Sequence, residues 1–153
     1  MGKAASIEVR ELTEGDLSWV LPMDEGAFSL AWKRETFLEE LTGRLAHYYG
    51  VFEDGTPIAY GGFWLVAGEA QIMRLAVDPG RRAEKKGLFL VASLIEKARD
   101  LGAEEVTLEV REHNLPARKT YEHLGFFSCG KRPHYYADSG EDAVLMRLLL
   151  TDM

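Results

Sequence analysis

The chain is poor in cysteine and has no long apolar run, and each shortage excludes a class of protein. Its 153 residues contain one cysteine, Cys129, so no internal disulfide can form. The longest apolar runs, such as LFLVASLI, are far too short to span a bilayer. The start, MGKAASIEVREL, lacks the apolar core of a secretory signal. We therefore expect a cytoplasmic protein that does not act in a membrane.

Cations are also scarce, with 18 Lys and Arg against 25 Asp and Glu and a formal net charge of −7. Binding to nucleic acid without regard to sequence requires a broad basic surface that neutralises phosphates, so this composition argues against it. The share of hydrophobic residues, 46%, with 28% charged, is typical of a soluble globular protein. Because no repeat, low-complexity tract or Pro/Ser-rich linker interrupts the chain, we expect one domain over residues 1–153.

The spacing of apolar residues predicts strands and helices in alternation. In order, the elements are a strand from Ile7 to Arg10, two helices before Gly43, a hairpin around Asp54-Gly55, a strand over 69–78, a helix from near Leu88 to Leu101, a strand over 104–112, a helix from Asn114 to Gly125, and two strands within 126–132 and 142–150. A meander followed by strand, helix, strand, helix and strand predicts a mixed sheet with packed helices, in the α/β or α+β class.

The stretch DPGRRAEKKGL, residues 78–88, brings Arg81, Arg82, Lys85 and Lys86 together in an acidic chain. It lies between a strand and a helix, where free backbone N–H groups and the helix dipole favour an anion. Two interpretations are open, a solvated basic loop or a pyrophosphate site. The sequence has neither a P-loop nor a dinucleotide fingerprint.

Further motifs occur in a specific order and spacing. They are LAVDP at 75–79, LEVREHN at 108–114, Ala117, YEHLGF at 121–126 and YYADSGEDAVLM at 135–146. With these motifs nearly the whole chain resembles the GNAT family of N-acetyltransferases. The resemblance implies a mixed, mostly antiparallel central sheet with helices on both faces, and acetyl-CoA as cosubstrate.

The resemblance also implies where acetyl-CoA binds. The cofactor pairs with backbone groups of the strand before the basic loop, and its pyrophosphate binds to the loop itself, which in the family has the sequence pattern Q/R-x-x-G-x-G/A. When this pattern is aligned with residues 82–87 without gaps, Arg82 occupies the Q/R position and Gly87 the second small-residue position. Lys85 occupies the position of the first glycine. Lysine adopts a positive φ only at a cost, so this loop departs from the family pattern. The implied cofactor-binding residues are Leu75, Ala76, Val77, Arg82, Ala83, Lys85, Lys86, Gly87 and Asn114.

Two residues suit the proton transfers that acetylation of an amine requires. Glu109 lies in mid-strand where a buried strand would carry an apolar residue; it is either a solvated carboxylate paired with Arg111 or a loop cation, or a general base. Tyr121 lies on the apolar face of its helix, as a core residue or as a general acid. The resemblance implies that Glu109 is the base and that Tyr121 protonates the coenzyme A thiolate.

Four more residues have both a structural and a functional interpretation. Asn114 is a good N-cap, and the resemblance adds a contact to the pantetheine arm. Tyr135 and Tyr136 suit strand-edge packing, and the resemblance implies instead an aromatic pair over the acceptor peptide. The resemblance places Trp32 in the substrate groove, although the segment before it is two residues longer than the family pattern. The histidines show no ligand-like spacing with each other or with Cys129, so no zinc site is expected.

The acceptor is expected to be a protein N-terminus. An α-amino group has a pKa of about 7.7–8.0 against about 10.4 for lysine, so a modest base more readily meets it uncharged. The resemblance implies the N-terminal alanine of a small-subunit ribosomal protein, a basic partner that an acidic body tolerates. The alternatives are a GNAT enzyme acting on lysine or small-molecule amines, and a non-catalytic acyl-CoA-binding module.

Overall fold

A computed structural model describes residues 6–80 and 86–150. Within these ranges the chain forms seven strands and four helices. They are β1 (Ile7–Glu11), α1 (Leu17–Ala27), α2 (Arg34–Thr42), β2 (Ala46–Glu53), β3 (Thr56–Val66), β4 (Glu69–Val77), α3 (Lys86–Asp100), β5 (Glu105–Arg111), α4 (Leu115–His123), β6 (Phe127–Arg132) and β7 (Ala143–Leu149).

The strands form a seven-stranded sheet in the order β1, β2, β3, β4, β5, β7, β6. β4 and β5 pair in parallel through Glu69–Gln71 and Glu105–Thr107, because α3 forms the crossover that a parallel pair needs. β1 with β2, β5 with β7, and β6 with β7 are antiparallel. The predicted mixed, mostly antiparallel α/β class is therefore confirmed.

Local turn chemistry explains two of the predicted boundaries. At the β2–β3 hairpin Asp54 has a φ of 49° and Gly55 a φ of 82°, the left-handed pair that a two-residue hairpin turn requires. α3 ends at Asp100, before Gly102, whose φ is 91°. The sequence predicted that this helix extends to Leu101, which is one residue too far. The helix has ended before Leu101, and 46% of this residue is exposed.

The chain divides into two compact units, and the first comprises Met1–Phe63 and Arg74–Leu94. Its core gathers apolar residues from α1, α2, β2, β3 and β4 and one from the segment after β1: Leu12, Leu17, Val20, Phe37, Tyr48, Tyr60 and Ala76. Trp19, Phe28 and Trp32 pack against this cluster. The expectation of one domain over residues 1–153 stays a prediction.

A buried carboxylate, Asp24 of α1, organises this unit. Arg74 donates from Nε to Asp24 Oδ1 at 2.9 Å and from Nη2 to Oδ2 at 2.8 Å. The Tyr60 hydroxyl donates to Oδ1, and the backbone N–H of Trp32 donates to Oδ2 at 2.8 Å. The Arg74 guanidinium also lies 3.7 Å from the centre of the Phe28 ring. Because each oxygen has two donors, the charge is compensated and the segment after α1 is held in place.

The second unit comprises Trp64–Met73 and Ile95–Met153. Along β5 the burial alternates as predicted, with Val106, Leu108 and Val110 buried and the residues between them partly exposed. In the antiparallel partner β7, Met146 faces Leu108 in the register and is also buried. One face of β5 therefore belongs to the core, and the other carries Thr107, Glu109 and Arg111.

Replacing Asp24 with alanine should be strongly destabilising. Asp24→Ala leaves the Arg74 cation and the Tyr60 hydroxyl nearly buried without their acceptor, so we expect the free energy of unfolding in urea to fall by about 3–5 kcal/mol. Glu14→Ala is the control, because it removes an ion pair to Arg34 whose side chains are 68% and 50% exposed. That variant should change the free energy by less than about 1 kcal/mol. Equal losses would contradict the central role of Asp24.

Candidate active site

Glu109 lies at the middle of β5, opposite Leu145 of β7. Its Oε2 atom is buried and accepts no hydrogen bond from the described residues. Arg132 Nε, at the end of β6, is 3.5 Å from this oxygen, which is an ion-pair distance but long for a hydrogen bond. Burying a carboxylate oxygen without a hydrogen-bond donor costs free energy. A ligand amine or a water that donates a hydrogen bond to this oxygen would remove that cost, and the oxygen can then act as its base.

Glu109 opens into a cleft of about 240 Å³ within the second unit. The cleft is lined by strand residues: Glu69, Gln71, Ile72, Met73, Thr107, Leu108, Glu109, Cys129, Arg132, Leu145, Met146 and Arg147. Three of its polar side chains are already paired. Thr107 Oγ1 donates to Glu69 Oε2 at 2.7 Å, and Arg147 Nη1 lies 2.6 Å from Glu105 Oε1. Among the buried side-chain oxygen and nitrogen atoms of the described residues, Glu109 Oε2 is the one without a hydrogen-bond partner.

The predicted aromatic pair follows β6. The rings of Tyr135 and Tyr136 meet edge to face with centroids 5.1 Å apart, and Tyr135 is 50% exposed. Burial raises the pKa of Tyr136 to about 12, and the charge of Glu109 adds to the rise while Arg111 opposes it. Tyr136 therefore lies within the electrostatic reach of Glu109, and its phenol stays protonated at neutral pH.

Tyr121, on α4, is half-buried, and its ring contacts Phe126 edge to face at 5.9 Å. Burial raises its pKa to about 12, with a further contribution from Tyr136. Both interpretations of Tyr121 fit these contacts, because the ring packs against the core and the hydroxyl keeps its proton. The second unit thus contains the predicted base, the predicted acid and Tyr136 in electrostatic contact with each of them.

The cofactor residues predicted in the first unit lie on β4 and α3. Ala76 is buried in the core, between Leu75 and Val77. Lys86 donates from Nζ to Glu53 Oε2 at 3.1 Å, so this cation already has a partner. At Gly87 an added Cβ would meet nothing within 4 Å. Three other predicted contacts, Arg82, Ala83 and Lys85, lie outside the described residues.

Asn114 and Trp32 have clear structural roles. Asn114 Oδ1 accepts from the backbone N–H of Ala117 at 3.3 Å, which is the predicted N-cap of α4. Trp32 is half-buried in the first unit, with its ring 5.1 Å from that of Phe37 and 4.5 Å from the Arg74 guanidinium. Their contacts with pantetheine and acceptor stay predictions.

The identity of the cation beside Glu109 was predicted only in part. Sequence reasoning offered Arg111 or a loop cation, whereas Arg132 of β6 takes this place and Arg111 binds Asp138. The pairing depends on how β6 and β7 align, including a register shift between Ser128 and Gly130. No local signal in the sequence reports that shift.

The second unit thus combines a buried carboxylate oxygen that accepts no hydrogen bond among the described residues with tyrosines whose phenols keep their protons. The chain belongs to the acetyltransferase (GNAT) family, whose model matches residues 10–126. It is thus an acetyl-CoA-dependent N-acetyltransferase, as the sequence motifs implied.

Individual relatives agree with this family. A protein of Bacillus subtilis (strain 168), provisionally named a ribosomal protein bS18-alanine N-acetyltransferase, is 33% identical over 94% of this chain and 96% of its own length. The crystal structure of the ribosomal-protein-S18-alanine N-acetyltransferase from Escherichia coli has a TM-score of 0.88 at 28% identity, covering 97% of this chain and 96% of its own. A provisionally named acetyltransferase from Salmonella typhimurium, solved with its cofactor acetyl-CoA, shares the fold with a TM-score of 0.82 at 17% identity, covering 97% and 96%.

Residues 6–80 and 86–150 contain neither a helix that could span a membrane nor a metal-binding cluster of side chains. None of the helices there combines the length and the apolar character needed to cross a membrane. In the same part of the chain, His, Cys, Asp and Glu side chains do not gather into a group that could hold a metal ion.

A spectrophotometric titration tests the protonation state of Tyr121. Unperturbed tyrosine ionises with a pKa of about 10, whereas Tyr121 has a pKa of about 12 in the folded protein. Near pH 10 the folded Tyr121→Phe variant should therefore show the same phenolate absorbance as the wild type. In unfolding concentrations of urea the variant should lose about half the signal of one phenolate at that pH, because an unperturbed tyrosine is then half ionised. A loss in the folded protein would mean that the Tyr121 hydroxyl is solvated.

Proposed function

We propose that this enzyme transfers the acetyl group of acetyl-CoA to the α-amino group of a protein N-terminus, with alanine of a small-subunit ribosomal protein as the leading acceptor. The observation that carries the proposal is the unsatisfied, buried oxygen of Glu109 facing the cleft, in one unit with the protonated Tyr121. Two relatives named for alanine acetylation of this kind support the choice of acceptor.

Glu109 is the general base in this proposal. The ammonium form of the acceptor has no lone pair, so it must lose a proton before it attacks. Glu109 Oε2 accepts that proton directly or through a water, and the nitrogen then forms its bond to the acetyl carbon. A protein N-terminus suits a carboxylate base because its α-amino pKa is about 7.7–8.0, well below that of lysine.

Tyr121 is the general acid. Acetyl-CoA supplies the acetyl group as a thioester, and the C–S bond breaks as the amide bond forms. Tyr121 donates its phenolic proton to the departing sulfur, so that one proton leaves the amine and one reaches the thiol. A pKa of about 12 keeps the phenol protonated until then. Burial of the coenzyme A thiolate raises the pKa of that thiol as well. The difference between the pKa of the Tyr121 phenol, which donates the proton, and the pKa of the thiol, which receives it, is therefore smaller.

The residues for acetyl-CoA are those of the sequence prediction, and the described ones fit a phosphate-bearing ligand. The open space at Gly87, in the first turn of α3, lets backbone N–H groups approach an anion at a helix N-terminus. Lys86 lies beside it, although it is paired with Glu53. The Asn114 cap uses Oδ1, which leaves the amide N–H₂ group for pantetheine. Leu75–Val77 supply backbone groups on β4, and Trp32, Tyr135 and Tyr136 contact the acceptor.

An acceptor panel tests the proposed activity. The purified protein is incubated with acetyl-CoA and one of three acceptors: an alanine-starting peptide with an internal lysine, the same peptide with a blocked N-terminus, or a polyamine. Mass spectrometry then detects acetylation. We expect the product with the free N-terminus only, because Glu109 meets that amine uncharged more often. Acetylation of the blocked peptide or of a polyamine alone would select the lysine or small-molecule alternative. Coenzyme A binding without any product would select the non-catalytic module.

Substitution of the two proposed proton-transfer residues tests the mechanism. Glu109→Gln and Tyr121→Phe keep side-chain size but remove the base and the acid, so each should lower kcat by about 10²–10⁴-fold. Acetyl-CoA binding, measured by calorimetry, should change little. Glu96→Gln, at an exposed carboxylate of α3, is the control and should keep wild-type turnover. Wild-type kcat in Tyr121→Phe would return that residue to a packing role.

A further inference from the structure

The connection between β6 and β7, residues 133–142, is held by hydrogen bonds within it and by two to the residues after β5. The backbone N–H of His113 donates to Glu141 Oε2 at 2.7 Å, and that of Glu112 donates to Asp142 O at 3.0 Å. Within it, the backbone N–H of Tyr136 donates to Glu141 O at 3.1 Å and that of Gly140 donates to Tyr136 O at 2.8 Å. The backbone N–H of His134 donates to Asp142 Oδ1 at 2.9 Å. Most of these residues are exposed, so the position of the connection depends on anchors from other elements.

The main side-chain anchor is Arg111, the last residue of β5. Its Nη1 and Nη2 atoms each donate to one oxygen of Asp138 at 2.9 Å, a bidentate pair. Nη1 also donates to Ser139 Oγ at 3.3 Å and lies 3.7 Å from Glu141 Oε1. The guanidinium carbon lies 4.0 Å from the centre of the Tyr136 ring. One side chain thus contacts four residues of the connection.

Arg111 also lies on the strand that carries Glu109. The two residues are two positions apart, so their side chains leave β5 on the same face. The centre of the Tyr136 ring lies 4.0 Å from the Arg111 guanidinium carbon, so the ring is held against a side chain of that same strand face. Arg111 therefore connects the segment bearing Tyr136 directly to the strand bearing the proposed base.

We propose that Arg111 is a positioning residue for acetyl transfer, which clamps the β6–β7 connection so that Tyr136 flanks the acceptor chain beside Glu109. The inference rests on the proposed function and adds the element that orients the acceptor peptide. Arginine is required because the contact needs a planar fork for Asp138 and a flat face for the Tyr136 ring at the same time. Lysine keeps the charge but has neither feature.

The kinetic test compares Arg111→Lys with a chemically matched control, Arg10→Lys. Arg10 also makes a bidentate pair with an aspartate, Asp16, at 2.9 and 3.0 Å, and lies 4.2 Å from the centre of the Phe52 ring. We expect Arg111→Lys to raise the KM for the alanine-starting peptide by about tenfold or more, with kcat within about twofold, because a charge-assisted contact that orders the acceptor site is lost. Arg10→Lys should leave that KM unchanged.

The second readout is hydrogen exchange, which needs no turnover. The backbone amides of Tyr136 and Gly140 should exchange faster in Arg111→Lys than in the wild type and in Arg10→Lys. Asp138→Asn weakens the same contact from the other side and should act in the same direction. The double variant Arg111→Lys/Asp138→Asn should have nearly the same KM as Arg111→Lys alone, because both substitutions disrupt the same pair, Arg111 with Asp138.

The outcomes separate this inference from the proposed function. If the wild type acetylates the peptide but Arg111→Lys has a wild-type KM, or one raised no more than that of Arg10→Lys, Arg111 does not position the acceptor. If the wild type yields no peptide product, the proposed function fails. Backbone hydrogen exchange alone then tests whether Arg111 holds the β6–β7 connection in place. Unchanged exchange at Tyr136 and Gly140 in Arg111→Lys overturns it, and faster exchange supports it.

Discussion

The alternation of side chains along β5 is the constraint on which the site depends. Because successive residues of a strand face opposite sides, burying Val106, Leu108 and Val110 in the core places Thr107, Glu109 and Arg111 together on the other face. A shift of one residue would exchange the two sets, which would put two charges into the core. The packing that stabilises this strand is therefore also what presents the proposed base and its neighbouring arginine together.

Two carboxylates in the chain show how the environment separates structural from reactive groups. Asp24 is fully buried, and Arg74, Tyr60 and the Trp32 backbone supply donors to both of its oxygens. Glu109 is partly exposed, and its buried Oε2 has an ion-pair contact with Arg132 but no hydrogen bond among the described residues. A fully compensated carboxylate holds packed elements together, whereas one with spare acceptor capacity can take a proton from a ligand.

Local features of the fold were predictable because they depend on neighbours in sequence. Asp54-Gly55 specifies a tight hairpin, Asn114 caps α4, and the alternation over residues 104–112 marks β5. The basic stretch at 78–88 suggested an anion site, yet the pairing of Lys86 with Glu53 joins residues far apart in the chain and could not be foreseen. The same holds for Asp24 with Arg74, where neither residue carries a local signal of the other.

The sequence by itself determined the elements, the mixed sheet and, through its motifs, the residues that resemble a catalytic pair. Periodicity, caps and turns act over a few residues, so they can be recognised without a fold. Only the tertiary structure decided which charges meet: Arg132 beside Glu109, and Arg111 around Asp138 and Tyr136. These contacts depend on strand register and on the path of the β6–β7 connection, where one residue of displacement would send a side chain to the opposite face.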